Sequence, residues 1–296
     1  MTDLSSDVLH YTAFATDPAG GNPAGVVLDA SGLDDASMLA IAADLGYSET
    51  AFATAPPDGL GQPGEPGRAF TLRYFSPKAE VPFCGHATVA AAVALAERIG
   101  PGALTFATQS GTVPVEVAET DGVLRATLTS VEPRVEEAAE LAQALDRLKW
   151  SKDELDPALP PRVAYAGARH LILAAATRER LADLDYDFDR LAEYMTKHDL
   201  TTVQLVWRAS RHVFHVRDPF PVGGVVEDPA TGAAAAAFGA YLRELGEVAS
   251  AATLTLHQGE DMGRPGLLTV ELRDGDPRVR VSGAAVKIPG RDAAGR

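Results

Sequence analysis

Twice in this chain a glycine-led turn opens directly into an alanine-rich helix. The first reads Cys84-Gly85-His86-Ala87-Thr88-Val89-Ala90-Ala91-Ala92 and the second Thr231-Gly232-Ala233-Ala234-Ala235-Ala236-Ala237. Side chains this small let a helix approach its neighbours closely, and the first N–H groups of a helix have no partner inside it and sit at its positive end. Each start therefore suits either tight packing of helix on sheet or the approach of an anion. One such start in each half also suggests two similar folding units, although alanine-rich helices are common and the echo is short.

Hydrophobic periodicity fills in the rest. Strands are expected at Val8–Ala15, from Val26, at Ser48–Thr54 and over Phe70–Tyr74, with a Pro- and Gly-rich loop from Pro56 to Gly67. Asp34 or Asp35 caps a helix that carries Met38, Ile41, Ala42 and Leu45 on one face and ends at Gly46. The first alanine-rich helix runs to Ile99, and strands follow at Leu104–Ala107, Val113–Val117 and Leu124–Val131. A charged, alanine-rich helix is expected beyond Pro133, then the Pro-rich run Asp156–Pro161. A second set of elements comes next: a strand at Ala168–Ala174, a helix over Phe188–Lys197, strands at Thr202–Trp207 and His212–Val216, the second alanine-rich helix, and three closing strands between Leu254 and Val281.

At 296 residues with 46% hydrophobic and 23% charged residues, the chain is an ordinary globular mixture long enough for two domains. Its net charge of -15 repels nucleic-acid backbones and anionic lipid heads, so neither is an expected partner. An anionic substrate would need local donors to overcome that field. The single cysteine, Cys84, allows no intrachain disulfide, no secretory leader pattern opens the sequence, and no apolar run reaches the roughly 18 residues of a membrane span. A cytoplasmic protein is expected.

Several residues could carry chemistry. His86, at the first alanine-helix start, can donate to or accept from a substrate near neutral pH, or simply cap the helix. Glu227-Asp228-Pro229-Ala230-Thr231-Gly232 puts two carboxylates and a hydroxyl ahead of the second helix, and capping accounts for only one of the three. Glu49 follows the helix-ending Gly46 and opens a strand; it is either a solvated strand-end carboxylate or, in a part-buried cleft, a proton shuttle with a raised pKa. The seven histidines show no clustering with Cys or carboxylates at metal-binding intervals, so no metal is expected. The glycine patterns of dinucleotide and P-loop sites are also missing. Cys84 reads as a thiol at a helix start or, more commonly, as a small buried residue.

Taken in order, Asn22-Pro23-Ala24-Gly25-Val26, Ser48-Glu49-Thr50, Arg73-Tyr74-Phe75-Ser76-Pro77, Phe83-Cys84-Gly85-His86-Ala87-Thr88, Glu227-Asp228-Pro229-Ala230-Thr231-Gly232 and Gln258-Gly259 with Gly263-Arg264-Pro265-Gly266 resemble the motifs of the PhzF-like phenazine-biosynthesis family over almost the whole chain. The resemblance implies an α+β, diaminopimelate-epimerase-like fold of two similar domains, each a curved, mostly antiparallel sheet around a central helix, with the site in the cleft between them. Residues 1–132 completed by 284–296 would form one domain and residues 133–283 the other. It further implies an isomerase without metal or cofactor, similar to trans-2,3-dihydro-3-hydroxyanthranilate isomerase, that moves a proton on a small anionic carboxylate. Glu49 would be the acid/base, with His86 and Asp228 holding and polarising the substrate. Asn22, Gly85, Ala87, Thr231, Gly232 and Ala233 would line it, and a homodimer is implied.

Two departures stand out. Ala233 occupies a position where the family commonly has Ser, and a two-thiol racemase or epimerase is excluded on count alone, since Cys84 is the single cysteine and Thr231 stands where its partner would lie. A hydrolase or lyase on the same scaffold, or a non-catalytic anion-binding protein, are the alternatives.

Overall fold

The computed structural model describes residues 8–60 and 67–289. Residues 61–66 of the expected Pro/Gly-rich loop and residues 290–296 of the segment assigned to the first domain lie outside that description. The chain divides into two compact units, one holding the described residues up to Thr129 together with those from Ser282 on, the other spanning Ser130–Val281.

The first unit runs β1 (Leu9–Ala13), β2 (Asn22–Val27), α1 (Asp35–Leu45), β3 (Thr50–Thr54), β4 (Ala69–Phe75), β5 (Glu80–Val81), α2 (Gly85–Ile99), β6 (Gly102–Thr108), β7 (Gly111–Thr120) and β8 (Val123–Thr129). Strand pairing passes from β1 to β2, β3, β4, β6, β7 and β8. The last strand of the chain, β17 (Asp276–Lys287), closes the ring by pairing with β8 and with β1. Eight strands leave an interior that side chains alone can fill. Here a helix fills it, which explains the alanines: every residue of α2 from His86 to Ala96 is buried. The strands alternate accordingly. Ala51 and Ala53 of β3 are small and buried, whereas Phe52 between them faces the other way and packs with Met38 and Ala42 of α1. The side chain of Asp34 caps α1 by accepting from the Ser37 N–H, and Gly46 ends it in the left-handed conformation, φ 66°.

The second unit continues with β9 (Arg134–Glu137), α3 (Leu141–Leu148), β10 (Arg162–Tyr165), β11 (Arg169–Ala174), α4 (Arg178–Ala182), α5 (Phe188–Lys197), β12 (Thr202–Ser210), β13 (Val213–Phe220), β14 (Val225–Asp228), α6 (Gly232–Glu244), β15 (Ala252–Gln258) and β16 (Gly266–Arg273). Pairing follows β9-β10-β11-β12-β13-β15-β16, with β14 beside β13. The helix α6 packs on β16 at one end of this series and on β9, β10 and β11 at the other, so the sheet curls around it. Gly239 makes that possible: a Cβ there would sit 2.7 Å from Val270 Cγ1, so only glycine lets helix and strand approach this closely. On the outer face, Leu171 and Leu173 of β11 meet Leu145 and Leu148 of α3 and Leu191 and Met195 of α5.

One sequence expectation fails. The segment beyond Pro133 starts as strand β9 and becomes helical only at Leu141. Pairing with β10 decides it, reinforced by the Arg162–Glu137 and Arg169–Glu136 ion pairs at 3.0 and 3.1 Å. Among the described residues, no helix is long and apolar enough to cross a membrane.

Candidate active site

In the first unit Gly46 turns the chain out of α1, and Tyr47-Ser48-Glu49 leads into β3. Glu49 thereby arrives beside the start of α2, where Cys84 is the N-cap and His86 lies in the first turn. The Glu49 Oε2 atom stands 3.5 Å from His86 Nε2 and 3.6 Å from Cys84 Sγ. Cys84 Sγ lies 3.3 Å from His86 Nδ1, and Ser48 Oγ lies 3.3 Å from His86 Nε2. Cys84 and His86 are buried, and the Glu49 side chain is 17% exposed. Burial raises the Glu49 pKa above the ordinary carboxylate value, against smaller downward pulls from hydrogen bonds with Ser48 and Cys84. A carboxyl held this way can take up a proton and give it back.

The helix start itself is rigid. The Cys84 carbonyl accepts from both the Thr88 N–H at 3.0 Å and the Thr88 hydroxyl at 2.6 Å, and Tyr74 OH lies 2.7 Å from the same hydroxyl. Helical geometry gives the N–H groups of Gly85, His86 and Ala87 no partner within α2. A Cβ built on Gly85 would meet no described atom within 4 Å, so there is room for a group beside Gly85, although Cys84, His86 and Ala87 around it are buried. Asn22, buried, begins β2 opposite Ala13. Arg73, from one of the quoted motifs, is structural: its guanidinium holds Glu80 at 2.6 and 2.7 Å and Asp35 at 2.7 Å.

In the second unit Asp228 ends β14, Thr231 is the N-cap of α6, and Gly232 and Ala233 are its first residues. Thr231 does not cap its helix with its side chain; its hydroxyl donates to Asp228 Oδ2 at 2.5 Å. Gln258 completes the arrangement, its Oε1 accepting from the Thr231 N–H at 2.9 Å and its Nε2 donating to the Asp228 carbonyl at 2.9 Å and to Thr231 Oγ1 at 3.0 Å. Sequence reasoning quoted Gln258 in a motif without giving it a task; only its burial and these bonds reveal one. Glu227 accepts a two-pronged bond from Arg217 at 2.9 and 2.5 Å. Thr231 and Glu227 are thus engaged with other side chains rather than with the amides of α6.

Gly259 holds Gln258 in place. Its φ is 78°, and a Cβ would come within 2.3 Å of the Arg264 carbonyl oxygen and 2.8 Å of that of Pro229. Gly259→Ala is expected to destabilise the protein by about 1–3 kcal/mol, read as a lowered midpoint in urea unfolding. An unchanged midpoint would show that this turn yields without cost.

Behind Asp228, directly across the β13–β14 ladder, Asp218 is fully buried. Burial, together with the nearby negative charges of Asp228 and Glu227, raises its pKa well above the ordinary carboxylate value. Thr202 Oγ1 donates to it at 2.7 Å and lies 2.7 Å from His170 Nδ1. His170, buried from all sides, has its pKa pushed down to about 3 and is neutral near pH 7.

Some groupings were not visible in the sequence. The fold gathers Glu49, Cys84 and His86 with ligating atoms all within 4.8 Å of one another, although the sequence shows no metal-type cluster and gave Cys84 no partner. The parallel register of β13 and β15 likewise stacks His215 on His257, ring centroids 4.9 Å apart, with Glu260 Oε2 2.6 Å from His215 Nδ1. Those histidines read as scattered.

Comparison with known proteins agrees with the motifs. The family model described as phenazine biosynthesis-like protein, PhzC-PhzF, matches residues 11–290. The chain is 32% identical to the uncharacterized isomerase YddE of Escherichia coli (strain K12), covering 96% of each chain. It is 31% identical to the trans-2,3-dihydro-3-hydroxyanthranilate isomerase of Pseudomonas fluorescens, covering 93% of this chain and 94% of that one. The crystal structure of the Bacillus anthracis phenazine biosynthesis protein of the PhzF family superposes with a TM-score of 0.83 at 26% identity, over 95% of this chain and 96% of that one. The chain therefore belongs to the phenazine biosynthesis-like (PhzC-PhzF) family and is an isomerase of that family.

Proposed function

We propose that the protein moves a proton on a small, unsaturated or cyclic carboxylic acid without a metal or cofactor, with Glu49 as the acid/base. The observation that carries this reading is the part-buried Glu49 carboxyl, raised in pKa and 3.5 Å from His86, beside a helix start with room next to Gly85. Glu49 in its ionised form takes a proton from a carbon next to the unsaturated system, the electron pair moves into that system, and the proton returns at another carbon on the same face. The amides of Gly85 and Ala87 at one helix start, and of Gly232 and Ala233 at the other, suit the anionic charge of substrate and intermediate. His86 and Asp228 hold and polarise the substrate, and Asn22 and Thr231 line it. Two similar units on a diaminopimelate-epimerase-like plan belong to the same proposal. The relative from Pseudomonas fluorescens is named for a dihydro-hydroxyanthranilate. Ala233 offers no hydroxyl, so the substrate proposed here is an acid of that class with one fewer polar group at this position.

Incubating candidate cyclic and unsaturated acids with the protein in ordinary and heavy water tests the reaction class. An isomerase leaves product mass unchanged in ordinary water and adds deuterium in heavy water; a product lighter or heavier in ordinary water would mean a lyase or hydrolase. The pH profile is a second check. Glu49 must be ionised to start, and its pKa is raised, so kcat/KM falls on acidification at a pH above the usual glutamate value of 4.5. An acid limb at or below 4.5 would assign it to another group.

A further inference from the structure

We propose that Glu49, Cys84 and His86 form a three-ligand site for a thiophilic divalent cation of the Zn²⁺ class, and that filling it shuts off proton transfer at Glu49. The binding half of this inference stands on geometry alone; the inhibitory half rests on the function proposed above.

Thiolate, imidazole and carboxylate are the ligands Zn²⁺ takes, with bonds of about 2.3 Å to sulfur and about 2.0–2.2 Å to nitrogen and oxygen. On a tetrahedral centre those lengths put neighbouring ligand atoms roughly 3.3–3.6 Å apart. The three edges here are 3.6 Å between Cys84 Sγ and Glu49 Oε2, 3.5 Å between Glu49 Oε2 and His86 Nε2, and 3.9 Å between Cys84 Sγ and His86 Nε2. The edges match one face of a tetrahedron to within a few tenths of an ångström; Cys84 Sγ lies nearer His86 Nδ1, at 3.3 Å, so the imidazole must also turn about its side-chain bonds to aim Nε2 at a cation bound to the sulfur. Two ligands come from the cap and first turn of α2 and the third from the turn that leads into β3.

The charge balance also fits. On binding, the Cys84 thiol loses its proton to solvent and its sulfur forms the bond to the cation; nothing is oxidised or reduced. Thiolate and carboxylate then offset the two positive charges. Hard cations are poorly matched, because Mg²⁺ and Ca²⁺ favour shells of oxygen and this site offers one carboxylate. With three protein ligands the fourth position stays open, and a Glu49 carboxylate neutralised by the cation is too weak a base to take the substrate proton.

Titration of the full chain with Co²⁺ tests the site. As Cys84 is the sole cysteine, a cobalt-thiolate charge-transfer band can come from nowhere else. The expected result is such a band saturating at one equivalent, displaced by Zn²⁺ and abolished in Cys84→Ser. Serine is a good helix N-cap, so that variant keeps the fold. His86→Ala is expected to weaken Co²⁺ binding by more than about 100-fold, since even residues that only support a ligand are worth 10–100-fold. No band in the intact protein, or a band of undiminished affinity in both His86→Ala and Glu49→Gln, would overturn the site. Solvent-deuterium exchange is then measured with and without one equivalent of Zn²⁺, and loss of exchange that a chelator restores is expected. Exchange that survives Zn²⁺ at a saturated band overturns the inhibitory half. If exchange never depended on Glu49, the functional reading fails while the cobalt band still stands; if the band is missing although exchange needs Glu49, the metal inference fails alone.

Discussion

Glu49→Gln is expected to lower solvent-deuterium incorporation and turnover by about 1,000-fold, within the 10²–10⁴-fold range usual for a positioned acid/base. Gln keeps the size and one acceptor oxygen of Glu, so substrate contacts and KM should change little; what disappears is the group that can receive and return a proton. Loss of folding is separable from loss of chemistry by a sign argument. The Glu49 pKa is raised in the folded protein, so this state binds its proton more tightly than the unfolded chain does. Stability from this residue therefore declines as pH rises from the unfolded glutamate value to the raised folded one, and stays lower above it. Gln carries no such penalty. The variant should be at least as stable as the parent at neutral pH while nearly inactive. Exchange within a factor of about three of the parent would remove Glu49 from the mechanism, and low exchange with a lowered unfolding midpoint would leave it unsupported.

Much of this site could be read before the fold was known, for local reasons. Asp34 and Gly46 mark the ends of α1 because capping and left-handed termination depend on neighbours a few residues away. The alanine runs after Gly85 and Gly232 indicated helices able to tolerate close neighbours on every side. What the sequence could not supply were groupings made by long-range pairing. Closing the first ring requires β17 to lie between β8 and β1, more than 150 residues away along the chain for β8, as the 2.7 Å Thr127–Ser282 hydroxyl contact shows. The segment Arg134–Glu137 lacks strand alternation and takes its form from β10. Cys84 looked solitary because its partner Glu49 is 35 residues upstream. Asp218, in His215-Val216-Arg217-Asp218, reads as an ordinary surface charge, and only the fold shows that it is fully buried.

The same blindness hid the residue whose loss should cost the fold most. Arg217→Leu is expected to destabilise the second unit by about 3–5 kcal/mol, the usual consequence of stripping one partner from a buried ion pair. Arg217 and Glu227 are only 8% and 7% exposed, and the guanidinium also donates to the Ala182 carbonyl at 2.6 Å, tying α4 to the β13–β14 ladder. With Arg217 gone, Glu227 would be a buried charge without its cation, beside Asp228 and an Asp218 whose pKa is raised by burial and, to a lesser degree, by these two carboxylates. For a unit of this size the loss corresponds to a fall in melting temperature on the order of 10 °C. A double-mutant cycle separates the ion pair from simple packing: Arg217→Leu with Glu227→Leu should recover most of the loss, because hydrophobic replacement of both partners leaves nothing charged to bury. Arg217→Lys should fall between, as an ammonium cannot span both carboxylate oxygens in the fork geometry of a guanidinium. Since Glu227 adjoins Asp228, the single variant should also weaken substrate binding under conditions where it remains folded, and the Glu227→Leu partner should restore it. A single variant within about 1 kcal/mol of the parent in urea unfolding would mean that water or neighbouring groups already neutralise this carboxylate, and the end of β14 would need another anchor.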